Sequence, residues 1–199
     1  NLGRILDTLH RCDLLDDTFV IFFSDHGDMH GSQGQHLKTT MFEESLRVPM
    51  ILGGGRRYTH RVRGECDLPI NHVDMGPTSL GLAGIDAPDW MQGYDYSHLR
   101  RPDKPVPNDE PDSAYCQLVI PTGHGHSCGR PWRGIVTRDG WKYATFEGTP
   151  WLLFDLNDDP YEMANHAHNT VYKGKMTELH DRMRQWAADR GIAIAPLRE

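Results

Sequence analysis

Asp25 and His26 stand side by side just after an apolar run, Phe19-Val20-Ile21-Phe22-Phe23. A carboxylate and an imidazole so placed can ligate the same metal ion. The carboxylate oxygen suits Ca²⁺, Mg²⁺ or Mn²⁺, and an imidazole is an acceptable further ligand. In open α/β sheets, ligands bind just past the carboxyl ends of strands. Gly27, Gly31 and Gly34 let the backbone turn tightly beside an occupant. Lys38 then returns a positive charge to the same neighbourhood, and lysine is a point-charge partner for a tetrahedral anion. A metal and a lysine facing one pocket would stabilise charge on a transferring oxyanion group. Asp-His-Gly alone is also an ordinary loop tripeptide, so the case rests on its neighbours.

These residues need elements to hold them. Residues 1–15 read as an amphipathic helix, with Leu2, Ile5, Leu6 and Leu9 at helical spacing. Asp16-Asp17 reads as a turn and 18–24 as a strand. That strand is apolar on both faces, which predicts a parallel sheet with both faces covered. A short helix is expected over 39–46, and a second buried strand over 48–52, ended by Gly53-Gly54-Gly55. A helix near 75–83 would carry Pro77 in its first turn. This alternation argues for an α/β fold. The stretch RRPDKPVPNDEP at 100–111 reads as a linker. Beyond it lie short β-type runs at 114–120, 134–138, 141–146 and 151–155, with a hairpin signal at Asp139-Gly140. A final helix over 171–190 would place Met176, Leu179, Met183 and Trp186 on one face and stop at Gly191. The expected organisation is an α/β part at 1–99, a Pro-rich linker at 100–111, and a subdomain at 112–199. The subdomain combines a four-stranded antiparallel sheet with a terminal helix.

Composition narrows the partners. The 199 residues carry 28 acidic and 21 basic side chains, a formal charge of −7. A general nucleic-acid or membrane-surface binder would need a basic face instead. No run approaches the ~18 apolar residues of a membrane span, and no signal-peptide pattern opens the chain. Cys12, Cys66, Cys116 and Cys128 form no C-x-x-C pair, so a structural zinc site is not expected. Most of the twelve histidines are read as surface residues.

The string Val20-Ile21-Phe22-Phe23-Ser24-Asp25-His26-Gly27-Asp28-Met29, then Lys38, then Phe42-Glu43-Glu44-Ser45-Leu46-Arg47-Val48-Pro49-Met50-Ile51, resembles the sulfatase family of the alkaline phosphatase superfamily. Asn71-His72-Val73-Asp74-Met75-Gly76-Pro77-Thr78 and Gly93-Tyr94-Asp95-Tyr96-Ser97 continue the likeness in order. So do Trp141-Lys142-Tyr143 and the run Leu153-Phe154-Asp155-Leu156-Asn157-Asp158-Asp159-Pro160-Tyr161-Glu162. The resemblance covers nearly the whole chain. It implies the C-terminal part of an alkaline-phosphatase-like sandwich, plus a small antiparallel sheet packed with a C-terminal helix. It also implies a divalent metal, usually Ca²⁺, with Asp25 and His26 matching two of its ligands. Lys38 matches the lysine that contacts the sulfate. The family's nucleophile is a formylglycine made from Cys or Ser in a C/S-x-P-x-R motif; its hydrate attacks sulfur and an alcohol leaves. The implied substrate is a small-molecule or carbohydrate sulfate ester. Family members occupy several compartments, periplasmic and extracellular ones foremost.

The departures are specific. No C/S-x-P-x-R occurs in the chain, and no Asp-Asp pair follows an early strand. The formylglycine is therefore expected upstream of residue 1. Gln33 stands where many relatives have His, and His36 where they have an aromatic. His36 reads either as a contact to substrate or leaving group or as a solvated loop residue. His124 and His126 read as a pocket rim or an exposed loop, and Arg130 and Arg133 as aids to an anionic substrate or as surface charge. Glu43-Glu44 and Arg47 are expected to pair around a helix end. Trp141, Trp151 and Trp186 are expected to link the small sheet to the last helix. Asp155 and Asp158-Asp159 are expected in a turn and a helix cap. Two rival functions remain at this point: a phosphonate monoester or phosphodiester hydrolase of the same superfamily, and a non-catalytic metal-binding module. The purified 199-residue chain is predicted to lack sulfatase activity; robust turnover of an aryl sulfate by it would overturn this reading.

Overall fold

The computed structural model describes residues 1–59 and 64–198. Two compact units emerge from it, one formed by residues 1–25 with 49–111, the other by 26–48 with the chain from Asp112 onward.

In the first unit, helix α1 (Leu2–Arg11) leads through a 3-10 turn at Leu15–Asp17 into strand β1 (Phe19–Phe23). Strand β2 (Met50–Gly54) follows, and a one-turn helix α3 (Arg56–Thr59) comes directly after it. The expected turn at Asp16-Asp17 is tied to α3 by Arg57–Asp17 at 2.9 Å and Arg56–Asp16 at 3.7 Å. The strand pairing differs from the expectation of a parallel sheet with both faces covered. β1 and β2 pair antiparallel as a two-stranded ladder, from Phe19 opposite Gly54 to Phe23 opposite Met50. Phe22, Phe23 and Ile51 are exposed. A continuous apolar run signals burial on two faces but carries no information on strand direction.

Helix α4 (Met75–Leu82) follows directly on a 3-10 turn, His72–Asp74, that opens with a capping box. Asn71 Oδ1 accepts the His72 N–H, and Asp74 Oδ2 accepts the Asn71 N–H at 2.7 Å. Asp74 also accepts the Tyr94 N–H at 2.7 Å, and Thr78 Oγ1 the Tyr96 N–H at 3.0 Å. The Asn71–Thr78 motif thus holds the returning Gly93–Ser97 motif through backbone donors. A Cβ at Gly93 would overlap the Val73 carbonyl, so the approach requires glycine.

The second unit holds the four-stranded antiparallel sheet the sequence led us to expect. Its strands run in the order β3 (Ser113–Leu118), β4 (Trp132–Thr137), β5 (Trp141–Phe146) and β6 (Thr149–Asp155). Asp139-Gly140 turns β4 into β5, with Gly140 at φ 91°. Strand alternation separates two apolar layers. Tyr115, Ile135, Tyr143 and Leu153 face helix α5 (Lys173–Ala188), meeting Leu179, Met183 and Ala187. Trp132, Ala144, Leu152 and Phe154 face the other way and pack with Met29, Met41 and Phe42. Helix α2 (Glu43–Leu46) continues from that second layer.

Trp141 and Trp186 lie in the α5 layer as expected, Trp186 stacking on Tyr115. Trp151 does not. It sits in the opposite layer against Phe146 and Phe42, because the β5–β6 register shifts between Ala144 and Thr145, skips Trp151 and frees it from the parity it shares with Leu153. α5 ends in a Schellman arrangement: Ile192 N–H donates to Ala187 O and Gly191 N–H to Ala188 O, with Gly191 at φ 71°. Asp155 and Asp159 are turn residues, accepting from Asn157 N–H and Ala164 N–H. Asp159 caps no helix; Asn169 takes the capping role ahead of α5 by accepting the Val171 N–H.

His180 is fully buried on α5. Its Nε2–H donates to the Ala195 carbonyl at 3.0 Å, and its Nδ1 lies 3.1 Å from the Tyr143 hydroxyl. Burial, the leading cause, lowers its pKa. The unfolded chain then binds a proton that the folded chain resists, so stability is full above the ordinary histidine value of about 6.5 and falls as pH drops below it. Thermal unfolding at pH 7.5 and 5.5 should show that loss, and His180→Gln should flatten it; an unchanged difference would remove His180 as its source.

Candidate functional site

Asp25 follows β1, and its side chain is exposed. Ser24 Oγ donates to Asp25 Oδ1 at 3.3 Å. His72 donates from Nε2 to the Ser24 carbonyl at 2.8 Å, and its ring lies 6.0 Å from that of Phe23. A carbonyl can only accept, so the ring hydrogen sits on Nε2. His72 therefore props the backbone that presents Asp25, a role that its place in the sequence did not reveal.

His26 is half-buried, and its Nδ1 lies 2.8 Å from the Gly27 carbonyl. The same logic puts a hydrogen on Nδ1. This contact resembles that of ligating histidines, which typically donate their other N–H to a carbonyl or carboxylate. Gly27 N–H donates to the Ser45 carbonyl at 2.9 Å, and a Cβ at Gly27 would overlap the Glu44 carbonyl. Glycine at 27 is thus required by α2 passing against the loop. Among the described residues no three His, Cys, Asp or Glu side chains form a metal-holding group. Asp25 and His26 fit a divalent ion in donor type, and would supply two of its ligands.

Lys38 is half-buried, within a strained frame. Leu37 and Thr39, on either side of it, have φ of 64° and 73°. His30 and Gln33 earlier in the segment are left-handed too, at 47° and 53°. Non-glycine residues avoid this region, a β-branched threonine most of all. Such strain persists only where surroundings over-determine it, and it concentrates at functional sites. The surroundings are visible here. The Ser127 hydroxyl donates to the Lys38 carbonyl, the Thr39 hydroxyl donates to Ser127 Oγ at 2.9 Å, and Trp132 Nε1 donates to the Thr39 carbonyl at 3.0 Å.

His36 and His126, separate candidates in the sequence, come together. His36 N–H donates to the His126 carbonyl at 2.8 Å, and the rings meet edge-on at 6.0 Å. Both side chains are exposed, and His126 is left-handed at φ 59°. Ser127 carries the same loop on to Lys38, so the 126–127 backbone buttresses the segment 36–39. Arg130 and Arg133 are engaged elsewhere: the Arg130 guanidinium lies over the Phe146 ring at 4.5 Å, and Arg133 Nη1 donates to the Leu118 and Trp132 carbonyls.

Glu43 does pair with Arg47, at 3.9 Å, but its closer partner is Lys142 Nζ at 2.5 Å. Lys142 is fully buried and also lies 2.7 Å from Glu162 Oε1. The ammonium sits at ion-pair distance from both carboxylates without hydrogen-bond alignment to either. Burial pushes the Glu162 carboxyl upward in pKa, while Lys142 beside it pulls the other way. In the sequence Lys142 was visible only as part of a motif, because nothing local marks a strand lysine as inward-facing.

The family pattern for the C-terminal region of N-sulphoglucosamine sulphohydrolase matches residues 31–189. The chain belongs to this sulfatase family. It is 32% identical over 176 residues to a choline-sulfatase of Rhizobium meliloti, covering 84% of this chain and 30% of that protein. A solved structure in complex with its substrate D-glucosamine-2-N,6-O-disulfate superposes with a TM-score of 0.76 at 26% identity, covering 95% of this chain and 38% of that one. The phosphonate monoester hydrolase of Agrobacterium radiobacter gives 0.73 at 25% identity, covering 94% and 38%. The chain thus spans about a third of the length of the proteins it matches. These superpositions bear out the alkaline-phosphatase-like α/β fold class read from the sequence. No described helix is long and apolar enough to cross a membrane.

Proposed function

We propose that this chain is the C-terminal region of a hydrolase acting on sulfate esters of small molecules or carbohydrates. Lys38 is the cation that faces the non-bridging oxygens of the transferred sulfuryl group. The observation that carries this reading is the strained, hydrogen-bonded frame around Lys38, inside the stretch matched to the sulfatase family. A frame of left-handed residues held by Ser127 and Trp132 costs folding energy that a merely solvated lysine would not need. A fixed ammonium needs no reorganisation as charge develops, which is the source of its catalytic value.

His36, exposed two residues before Lys38 and braced by His126, faces the substrate or its leaving group. Asp25 and His26 hold a divalent cation, with Ca²⁺ first and Mg²⁺ or Mn²⁺ as alternatives. When bound, that ion supplies further positive charge to the sulfuryl oxygens. The nucleophile, a formylglycine, comes from a part of the protein upstream of Asn1. Sulfated carbohydrate is the favoured substrate class, by analogy with the glucosamine disulfate bound in the superposed structure. The phosphonate reading keeps support from phosphonate monoester hydrolases that share the fold.

In the full-length protein, Lys38→Ala should lower kcat by ~10²-fold or more. A near-normal rate would end its assignment. Paired aryl sulfate and phosphonate monoester substrates should give the higher kcat/KM for the sulfate; the reverse order would favour the rival chemistry. Asp25→Ala should remove bound metal and activity together, measured by elemental analysis beside turnover, and an unchanged metal content would reject Asp25 as a ligand.

A further inference from the structure

We propose that Glu162 is a positioning residue for Lys38, acting by fixing both ends of the segment that carries it; this rests on the reading of Lys38 above. Glu162 lies in the turn after β6, almost fully buried and left-handed at φ 56°. Its backbone carbonyl accepts the Gln33 side-chain amide at 3.1 Å, and the same amide reaches the Tyr161 carbonyl at 3.3 Å. Its carboxylate Oε2 accepts the Glu43 backbone N–H at 2.7 Å. Gln33 and Glu43 bracket the segment that contains His36 and Lys38. One residue, distant in sequence, therefore sets the span between the two ends of the loop.

Glu162 is itself held in one orientation. Its other carboxylate oxygen, Oε1, meets Lys142 Nζ, which also meets Glu43 Oε1. Glu43 is thereby gripped twice, at its backbone by Glu162 and at its side chain by Lys142. An uncompensated charge in this buried place would be strongly unfavourable, so the three groups keep their arrangement together. A bound substrate needs the Lys38 charge within a fraction of an ångström of its place, and a 1 Å misplacement can cost ~10²-fold in rate. A clamp on both ends of the loop is a direct way to hold that place. The competing account is that Glu162 serves core stability alone.

A double-variant cycle in the full-length enzyme separates the two accounts. Glu162→Gly suits the left-handed backbone and removes the carboxylate clamp. Gln33→Asn also tolerates its backbone, is exposed, and is too short to reach the two carbonyls; it keeps the test open should Glu162→Gly fail to fold in thermal unfolding. Each is measured for kcat and KM on an aryl sulfate, alone and combined with Lys38→Ala. Each clamp variant should lower kcat by about 10-fold or more, with KM changed less than kcat, and should lose most of that effect once Lys38 is absent. Losses that add fully to that of Lys38→Ala would overturn the positioning role. A near-normal Lys38→Ala rate would instead overturn the reading of Lys38, and the clamp proposal with it.

Discussion

A buried ammonium between two carboxylates is the constraint on which the second unit depends. Lys142 points into the interior from near the start of β5, and Glu43 and Glu162 come from α2 and from the turn after β6 to meet it. The ammonium is tolerable there because carboxylates face it, and the two carboxylates because the ammonium lies between them. Removing Lys142 would leave two facing carboxylates uncompensated, a loss of the kind that costs about 3–5 kcal/mol in buried pairs. The apolar layer around the trio reinforces the same geometry. Met41 and Phe42 enter it immediately before Glu43, and Phe154 enters it from β6. The polar centre specifies where the loop must dock, and the apolar shell supplies the driving force for docking.

This arrangement gives the sheet two different duties. One face is an ordinary core, closed by α5 through Leu179, Met183 and Ala187. The other is a platform for the segment 26–48, with Met29, Met41 and Phe42 as its anchors. Between those anchors the backbone has no strand or α-helix, only a 3-10 turn at Ser32–Gly34, and adopts left-handed conformations that would not survive alone. Strong packing at the ends and strain in the middle is a consistent pattern: the docking free energy offsets the cost of holding Lys38 where it is.

Much of this was legible in the sequence, and the reasons for the rest are physical. The antiparallel sheet and terminal helix followed from alternation, the Asp139-Gly140 turn and the Met176–Trp186 stripe. The helix at Met75–Leu82 followed from its motif and Pro77. The direction of β1 did not, because a run of five apolar residues looks the same in either pairing. The side taken by Trp151 departs from strand parity because the register of β5 and β6 shifts beside it, and no local pattern marks that shift. Lys142 and Glu162 appeared only as members of motifs, since burial of a lysine depends on partners about 100 and 20 residues away in the chain. His36 and His126 could each be proposed singly, but their meeting depends on a long-range backbone contact that no local pattern encodes.

The bonds that clamp the loop join residues 119 and 129 positions apart. During synthesis residues 26–48 emerge first, while the sheet that must receive them, 113–155, is still unmade. Contacts of such separation carry a loop-closure cost that is met only when the distant partner is present. The segment bearing Lys38 must therefore wait, unstructured at its centre, until β5 and β6 have paired and the turn after them has closed. A chain released before Glu162 would carry every proposed site residue without the carboxylate and carbonyl that hold the segment bearing Lys38.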